Sequence, residues 1–297
     1  MLQDETGRPP SRVLITGAFG ALGTKLVGFL SNCDWCRDIV AVDRRAPSQV
    51  LPANVQVVIA DLADPRDERW RRAFTGIEAV VHLAAQHPSP RASWADAIAS
   101  FDMTARTVEL AARSGVARFV FASSNHVMGG YKDRPLFKTV SAGKLSTDLA
   151  PSPHRAYGVS KLMGERLCCA KAELSEGKMT AVSVRIGWCQ RGDNHPRTIN
   201  ASGISLSVTA DAHDETNSDL TWFRNMWLSD RDFGQLMLRA LTADASNWNA
   251  AGIVVNAMSA NTGMLWDIET TRQMIGYVPQ DDVWEALTKS PEHQAGI

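Results

Sequence analysis

Apolar residues recur along this chain in two rhythms. Short uninterrupted runs such as Val13-Leu14-Ile15 and Ile39-Val40-Ala41-Val42 have the character of strands buried on both faces. Strand-like runs recur and predict strands at 12–16, 38–42, 55–59, 79–83, 118–122, 180–186 and 253–257. Between them the apolar positions fall three or four apart, the helical spacing. Leu22, Leu26, Val27 and Leu30 form one such stripe, and a long helix near 92–114 is expected to bury Trp94, Ile98, Phe101, Ala105, Val108, Leu110 and Ala112. A further helix opens near His154. Another starts after Ser229, which has the character of an N-cap with Asp230 and Asp232 in the first turn. A C-terminal helix is expected to carry Trp266, Ile268, Met274 and Ile275 and to stop at Gly276. Strands alternating with helices predict an α/β fold with a doubly wound parallel sheet. In such a sheet ligands sit at the carboxyl ends of the strands, so residues just past each strand are the ones to inspect.

Two stretches break the rhythm. Residues 129–153 lose periodicity and gain Gly, Pro and charge, which predicts a surface excursion. Residues 190–221 are rich in Asn, Asp, Ser and Thr and predict a lid or a loop. The expected organisation is a loose tail at 1–10, a nucleotide-binding domain at 11–186, and a mainly substrate-binding part at 187–297 whose segment 229–257 returns to the first domain.

Composition narrows the classes. The chain has 297 residues, 44% hydrophobic and 21% charged, with a formal net charge of −1. That size suits one large α/β unit with a small appendage. Near-neutral charge gives no electrostatic case for nucleic acid or an anionic membrane. No apolar run approaches the roughly 20 residues of a membrane helix, and the polar start resembles no signal peptide. Cys33 and Cys36 have C-x-x-C spacing without a second pair or a histidine to complete a metal site. Five cysteines in a chain of this size point to reduced thiols and the cytoplasm.

The chemistry concentrates after the strands. Thr16-Gly17-x-x-Gly20-x-x-Gly23 joins the first strand to a helix. A glycine turn lets backbone approach a diphosphate, and the helix N-terminus favours negative charge. Asp43 follows the second strand, twenty positions after Gly23, where a carboxylate can accept from an adenosine ribose. Asp61-Leu62 follows the third strand and suits an adenine amino group. His82-Leu83-Ala84-Ala85 ends the fourth with small residues over which a cofactor can lie. Four polar residues, Ser123-Ser124-Asn125-His126, end the fifth. Tyr157 and Lys161, i and i+4 on a helix, share one face. A phenol of ordinary pKa about 10 is a poor base at neutral pH, and an ammonium beside it favours the phenolate.

Together Thr16-Gly17-x-x-Gly20-x-x-Gly23, Asp43, Asp61-Leu62, Leu83-Ala84-Ala85, Ser124 and Tyr157-x-x-x-Lys161 resemble the extended short-chain dehydrogenase/reductase family, over residues 11 to about 285. Phe121-Ala122-Ser123-Ser124-Asn125-His126, Val184-Arg185-Ile186-Gly187 and Met226-Trp227-Leu228-Ser229-x-Arg231-Asp232 look most like uronate dehydrogenases and related sugar 1-dehydrogenases. The resemblance implies a Rossmann-type fold with a small C-terminal substrate-binding part. It implies oxidation of a cyclic sugar or sugar acid at its anomeric hydroxyl to a lactone, with NAD as acceptor, in a homodimer. Ser124, Tyr157 and Lys161 would be catalytic. NAD contacts are implied in the glycine turn (Gly17, Phe19, Gly20, Ala21, Leu22, Gly23) and after the next strands (Asp43, Arg44, Asp61, Leu62, Leu83, Ala84, Ala85). Tyr157, Lys161 and Ile186 complete the cofactor set. Substrate contacts are implied at Ser124, Asn125, His126 and Tyr157. Uronate dehydrogenases also place an arginine before their Trp-containing segment to grip a carboxylate; Arg224 is the nearest candidate here, with Arg191 and Arg197 as competitors. Asp43 favours NAD over NADP, although Arg44 and Arg45 follow it directly. No metal is expected.

Two other readings share these motifs. A nucleotide-sugar epimerase or dehydratase would reduce a bound NAD transiently, but little chain remains after residue 257 to hold a nucleotide diphosphate. A non-catalytic NAD sensor would be expected to lose the Tyr157–Lys161 pair, which this chain keeps.

Overall fold

The computed structural model describes residues 8–86, 91–132, 144–199 and 218–289. Seven strands form one parallel sheet: β1 (Arg12–Thr16), β2 (Asp38–Asp43), β3 (Val55–Ile59), β4 (Ala79–His82), β5 (Arg118–Ser124), β6 (Thr180–Ile186) and β7 (Gly252–Ala257). Their order is β3-β2-β1-β4-β5-β6-β7. The chain therefore winds outward from β1 through β2 to β3, returns to place β4 on the other side of β1, and winds outward again. The reversal falls between β1 and β4, whose last residues Thr16 and His82 are ladder partners. A crevice at that switch point is the general ligand position of such sheets. β5 runs two residues further than its apolar run, because Ser123 and Ser124 pair with Arg185 and Ile186.

Alternation along each strand divides the core. Val13 and Ile15 face α1 (Ala21–Ser31) and α6 (Asp230–Thr242), packed with Leu26, Leu30, Phe233, Leu236 and Met237. Leu14, Phe119 and Phe121 face the other layer, where α2 (Glu68–Arg72), α3 (Trp94–Arg113) and α4 (Ala156–Glu173) supply Trp70, Met103, Val108 and Cys168. The layers come very close. A β-carbon on Gly234 would stand 2.7 Å from the Phe29 ring, and one on Gly164 2.5 Å from the Phe121 ring. α6 opens on Ser229, whose Oγ accepts from Asp232 N–H at 3.0 Å.

α3 leaves outside two of the residues that its apolar spacing puts in the core, while Val108 is buried as expected. Trp94 and Ile98 are exposed, while Ala97, Ser100, Met103, Thr104, Thr107, Val108 and Ala111 are buried. The buried stripe is small or hydroxyl-bearing because α3 lies close against α4. Its hydroxyls are satisfied within the helix, Thr104 Oγ1 on Ser100 O at 3.0 Å and Thr107 Oγ1 on Met103 O at 2.7 Å.

A third apolar cluster lies past the carboxyl side of the sheet. Val127, Met128, Tyr131, Leu145 and Ile199 join Trp222, Phe223 and Trp227 from around α5 (Ser218–Arg224), together with Trp266 and Val283. Trp266 and Ile268 precede α7 (Glu269–Ile275) and are not on it; Trp266 instead bridges to Leu145. α7 ends on Gly276 at φ +69°, the left-handed cap. A final helix, α8 (Val283–Thr288), closes the described chain. Much of the expected tail, of the 129–153 excursion and of the 190–221 stretch lies outside the described residues.

Candidate active site

A cleft of about 700 Å³ opens at the switch point, lined by residues that follow β1 to β6. Its floor is the glycine turn. Gly17 has φ +68°, and a β-carbon there would lie 2.8 Å from Ala84 N. At Gly23 a β-carbon would come within 2.2 Å of Gly17 O. A β-carbon at Gly17 would collide with the backbone of the wall after β4 and one at Gly23 with the turn itself, and no side chain caps α1. Ala21, Leu22 and Gly23 line the cleft, so the positive end of the helix dipole faces it. A turn of this shape at a helix N-terminus can take a diphosphate, and the dinucleotide fits the residues present.

Asp43 is buried at the cleft wall and held by the turn it serves. Its Oδ2 accepts from Phe19 N–H at 2.9 Å and its Oδ1 from Arg45 N–H at 3.0 Å. Phe19 is therefore tied to the site through its amide, and its side chain is not among the cleft's lining. Arg44 and Arg45 line the rim beside Asp43, with Arg44 Nη1 donating to Gln86 Oε1 at 3.4 Å. Asp61 and Leu62 follow; Asp61 Oδ1 accepts from Ala63 N–H at 2.9 Å. Leu83, Ala84 and Ala85 form the wall after β4. His82 fastens that wall: Nδ1 pairs with Thr16 Oγ1 at 2.7 Å and Nε2 with Thr104 Oγ1 at 3.1 Å. Burial, aided by the Lys161 charge, holds the imidazole pKa down at about 3.

The residues that end β5 and open α4 gather at the other end. Ser124 ends β5 and caps the 3-10 stretch Asn125–Tyr131, its Oγ accepting from His126 N–H at 3.2 Å. Tyr157 stands in the first turn of α4, its ring edge-on to His126 with centroids 5.8 Å apart. Burial pushes the phenol pKa up, and a hydrogen bond with Ser124 works against this. That differs from the expectation of a phenol lowered by its lysine. Lys161 itself is the strongly lowered group: burial brings its ammonium to about 8, against the opposing pull of Cys168 and Glu165. Its Nζ donates to Ala122 O at 2.6 Å and lies 5.8 Å from the Tyr157 ring centroid. His126, also lowered by burial, to about 4, is a neutral imidazole near neutral pH. Asn125 packs its amide against Met226 Sδ.

The structure thus brings Ser124, Asn125, His126, Tyr157, Lys161 and Ile186 into the same cleft as the glycine turn. It does not bring Arg224 there. Arg224 is buried in the third cluster, its guanidinium 5.8 Å from the Trp284 ring centroid. Arg197 reaches Leu287 O at 3.0 Å, whereas Arg191 lines the cleft with Trp188, Cys189 and Gln190. Position after β6 was the available signal for these last four residues. The five cysteines are free thiols, and burial raises Cys36 to about 12. Among the described residues no His, Cys, Asp and Glu cluster could hold a metal ion, and no helix is long and apolar enough to cross a membrane.

Comparison with known proteins agrees with this layout. Residues 13–248 match the NAD dependent epimerase/dehydratase family. The NAD-dependent glucose-6-phosphate dehydrogenase of Haloferax volcanii is 30% identical over 279 residues, covering 91% of this chain and 93% of that protein. The uronate dehydrogenase of Pseudomonas syringae pv. tomato is 28% identical over 280 residues, covering 93% and 84% respectively. Among solved structures, glucuronic acid dehydrogenase from Chromohalobacter salexigens superposes with a TM-score of 0.68 at 26% identity, covering 97% of this chain and 91% of that one. With its glycine turn, its Asp43 and its Tyr157–Lys161 pair on that sheet, the chain belongs to the NAD dependent epimerase/dehydratase family.

Proposed function

We propose that the protein is an NAD-dependent dehydrogenase that oxidises the anomeric hydroxyl of a cyclic sugar or sugar acid to a lactone. The observation carrying this reading is the convergence of Ser124, Tyr157 and Lys161 beside a diphosphate cradle in one cleft. NAD, held by the glycine turn, Asp43 and Asp61, supplies the hydride acceptor. Tyr157 as phenolate takes the hydroxyl proton, and Ser124 holds that hydroxyl by a hydrogen bond. The Lys161 ammonium favours the phenolate and holds the nicotinamide ribose. Asn125 and the neutral His126 offer hydrogen bonds to the sugar ring. The third apolar cluster, with the described residues after 187 other than the returning segment 229–257, forms the main substrate-binding part. Because burial raises the phenol and lowers Lys161 to about 8, oxidation should quicken as pH rises from neutral toward about 8 and gain little beyond it, since the deprotonated phenol accepts the proton while the Lys161 ammonium supports it.

The relatives differ in what their sugars carry, one a phosphate and one a carboxylate by their names. Arg224 is enclosed in the third cluster, so Arg191 is the better placed cation for any anionic group. Asp43 favours NAD, since its carboxylate repels a 2′-phosphate. We further read the protein as cytoplasmic and homodimeric, the latter checked by light scattering.

The test is NADH absorbance on mixing purified protein with NAD and a panel of free aldoses, uronates and sugar phosphates. NADH growing with one sugar class is the expected result. No turnover with any of them, with NAD retained tightly through purification, would instead indicate an epimerase.

A further inference from the structure

α4 carries Tyr157, Lys161 and Glu165 at successive i, i+4 positions, so the three share one helix face. That face meets β5 residue by residue. Lys161 Nζ donates to Ala122 O at 2.6 Å, and Ser123 Oγ donates to Glu165 Oε1 at 2.6 Å. Arg185 on β6 stands directly opposite Ser123 in the parallel ladder. It forks onto the same carboxylate, Nε to Oε1 and Nη2 to Oε2, both at 2.9 Å. Arg185 and Glu165 are each only 2% exposed.

Stability is a poor explanation for this pair. Desolvation of two buried charges cancels much of their attraction, and apolar replacements of similar volume are often as stable. Moreover, Arg185 Nη1 is buried without a hydrogen-bond partner among the described residues. The spacing on α4 offers a better reason. Lysine and glutamate at i and i+4 are neighbours on a helix surface, within reach of an ion pair. Were Glu165 available, the Lys161 ammonium would be drawn one turn toward the helix C-terminus, away from Tyr157. Arg185 engages both carboxylate oxygens and leaves the lysine on Ala122 O.

We propose that Arg185 is a positioning residue: by holding Glu165 in a two-pronged ion pair, it keeps Lys161 directed at Tyr157 and the cleft. The role rests on the reaction proposed above, in which Lys161 serves the phenol and the cofactor ribose.

A pair of variants tests it. Arg185→Met frees Glu165 to capture Lys161. It is expected to lower kcat by about a hundredfold and to weaken NAD binding about tenfold, within the range one proton-transfer group commands. Arg185→Met combined with Glu165→Gln removes the captor as well, and both quantities should return to within about threefold of the parent, the two sites being coupled. A merely structural pair predicts no such recovery, so a double variant as impaired as Arg185→Met overturns the proposal. Should Arg185→Met fail to fold, the double variant is compared with the parent. It holds no competing carboxylate, and a loss of more than about tenfold in kcat, in folded protein, overturns the proposal equally. NAD affinity, read by tryptophan quenching, needs no turnover. A parent inactive on every sugar would therefore sink the reaction reading while the recovery of NAD affinity still decides the role of Arg185.

Discussion

His82 has both ring nitrogens engaged by threonine hydroxyls and is enclosed between β1, β4 and α3. In the unfolded chain its imidazole takes up a proton near 6.5; in the folded protein it does so only near 3. Stability from this group is complete above the first value and drains away as pH falls toward the second. His126 behaves alike, with a folded value of about 4. His82, fully buried, should remove about 2 kcal/mol of unfolding free energy between pH 6.5 and 5. Urea titrations at several pH values measure that slope, and His82→Gln should flatten it by one histidine's share. An unchanged slope would mean that the buried imidazole takes up its proton without unfolding. At the reacting end the expectation concerns rate. Tyr157→Phe should lower NADH formation by at least about a thousandfold, within the range of general base catalysis, while NAD affinity measured by fluorescence stays within a fewfold.

At the scale of elements, the glycine turn is constrained by crowding as much as by its dihedral angles. Gly23 has room for nothing more, with Gly17 O at 2.2 Å from where a β-carbon would go. Gly23→Ala should push α1 away from the turn and weaken NAD binding at least tenfold, roughly 1.4 kcal/mol, as calorimetry would show. α6 is tied to the C-terminal segment through Asp232, which is fully buried. Its carboxylate accepts from Ser259 Oγ at 2.6 Å, Gln280 N–H at 2.9 Å and Asp281 N–H at 3.0 Å. Asp232→Asn sets an amide donor among these donors and should cost about 2–3 kcal/mol of stability. Limited proteolysis should then cut first near residue 280, and a variant cut elsewhere would show that the C-terminal segment is held by other means.

For the whole molecule, the cleft lies between the two windings of the sheet, so a ligand that fills it clamps both. NAD at a hundred times its dissociation constant should add about 2.7 kcal/mol to stability, a shift of several degrees in Tm. ADP-ribose should reproduce most of that shift, because the glycine turn, Asp43 and Asp61 are the proposed contacts of that half of the cofactor. NADP should give less, owing to Asp43. Equal shifts from NAD and NADP in a thermal melt would assign Arg44 and Arg45, not Asp43, the deciding role at the rim.

The amino-acid sequence by itself determined the elements and most of the cleft. Seven strand-like runs alternating with helical stripes specify a parallel sheet, and each β strand lies within two residues of its run, with β3 at the sheet edge leaving Val57 and Ile59 exposed. Chemistry placed directly after a strand was equally legible, since a parallel sheet sends all those ends to one side: Gly17, Asp43, Asp61, Ala84 and Ser124 all line the cleft. Tertiary structure alone decided what depends on contacts between distant segments. Helical spacing gives a stripe but not which stripe faces inward, so α3 buries Ser100, Thr104 and Thr107 and exposes Trp94. Sequence position could not separate Arg191 from Arg224, because the first follows a strand into the cleft and the second is carried on α5 into a core of its own. Nor could it join Glu165 to Arg185. That pair forms across 20 residues because β6 lies beside β5 in the register that sets Arg185 opposite Ser123, and lateral register is set by the packing of the whole sheet.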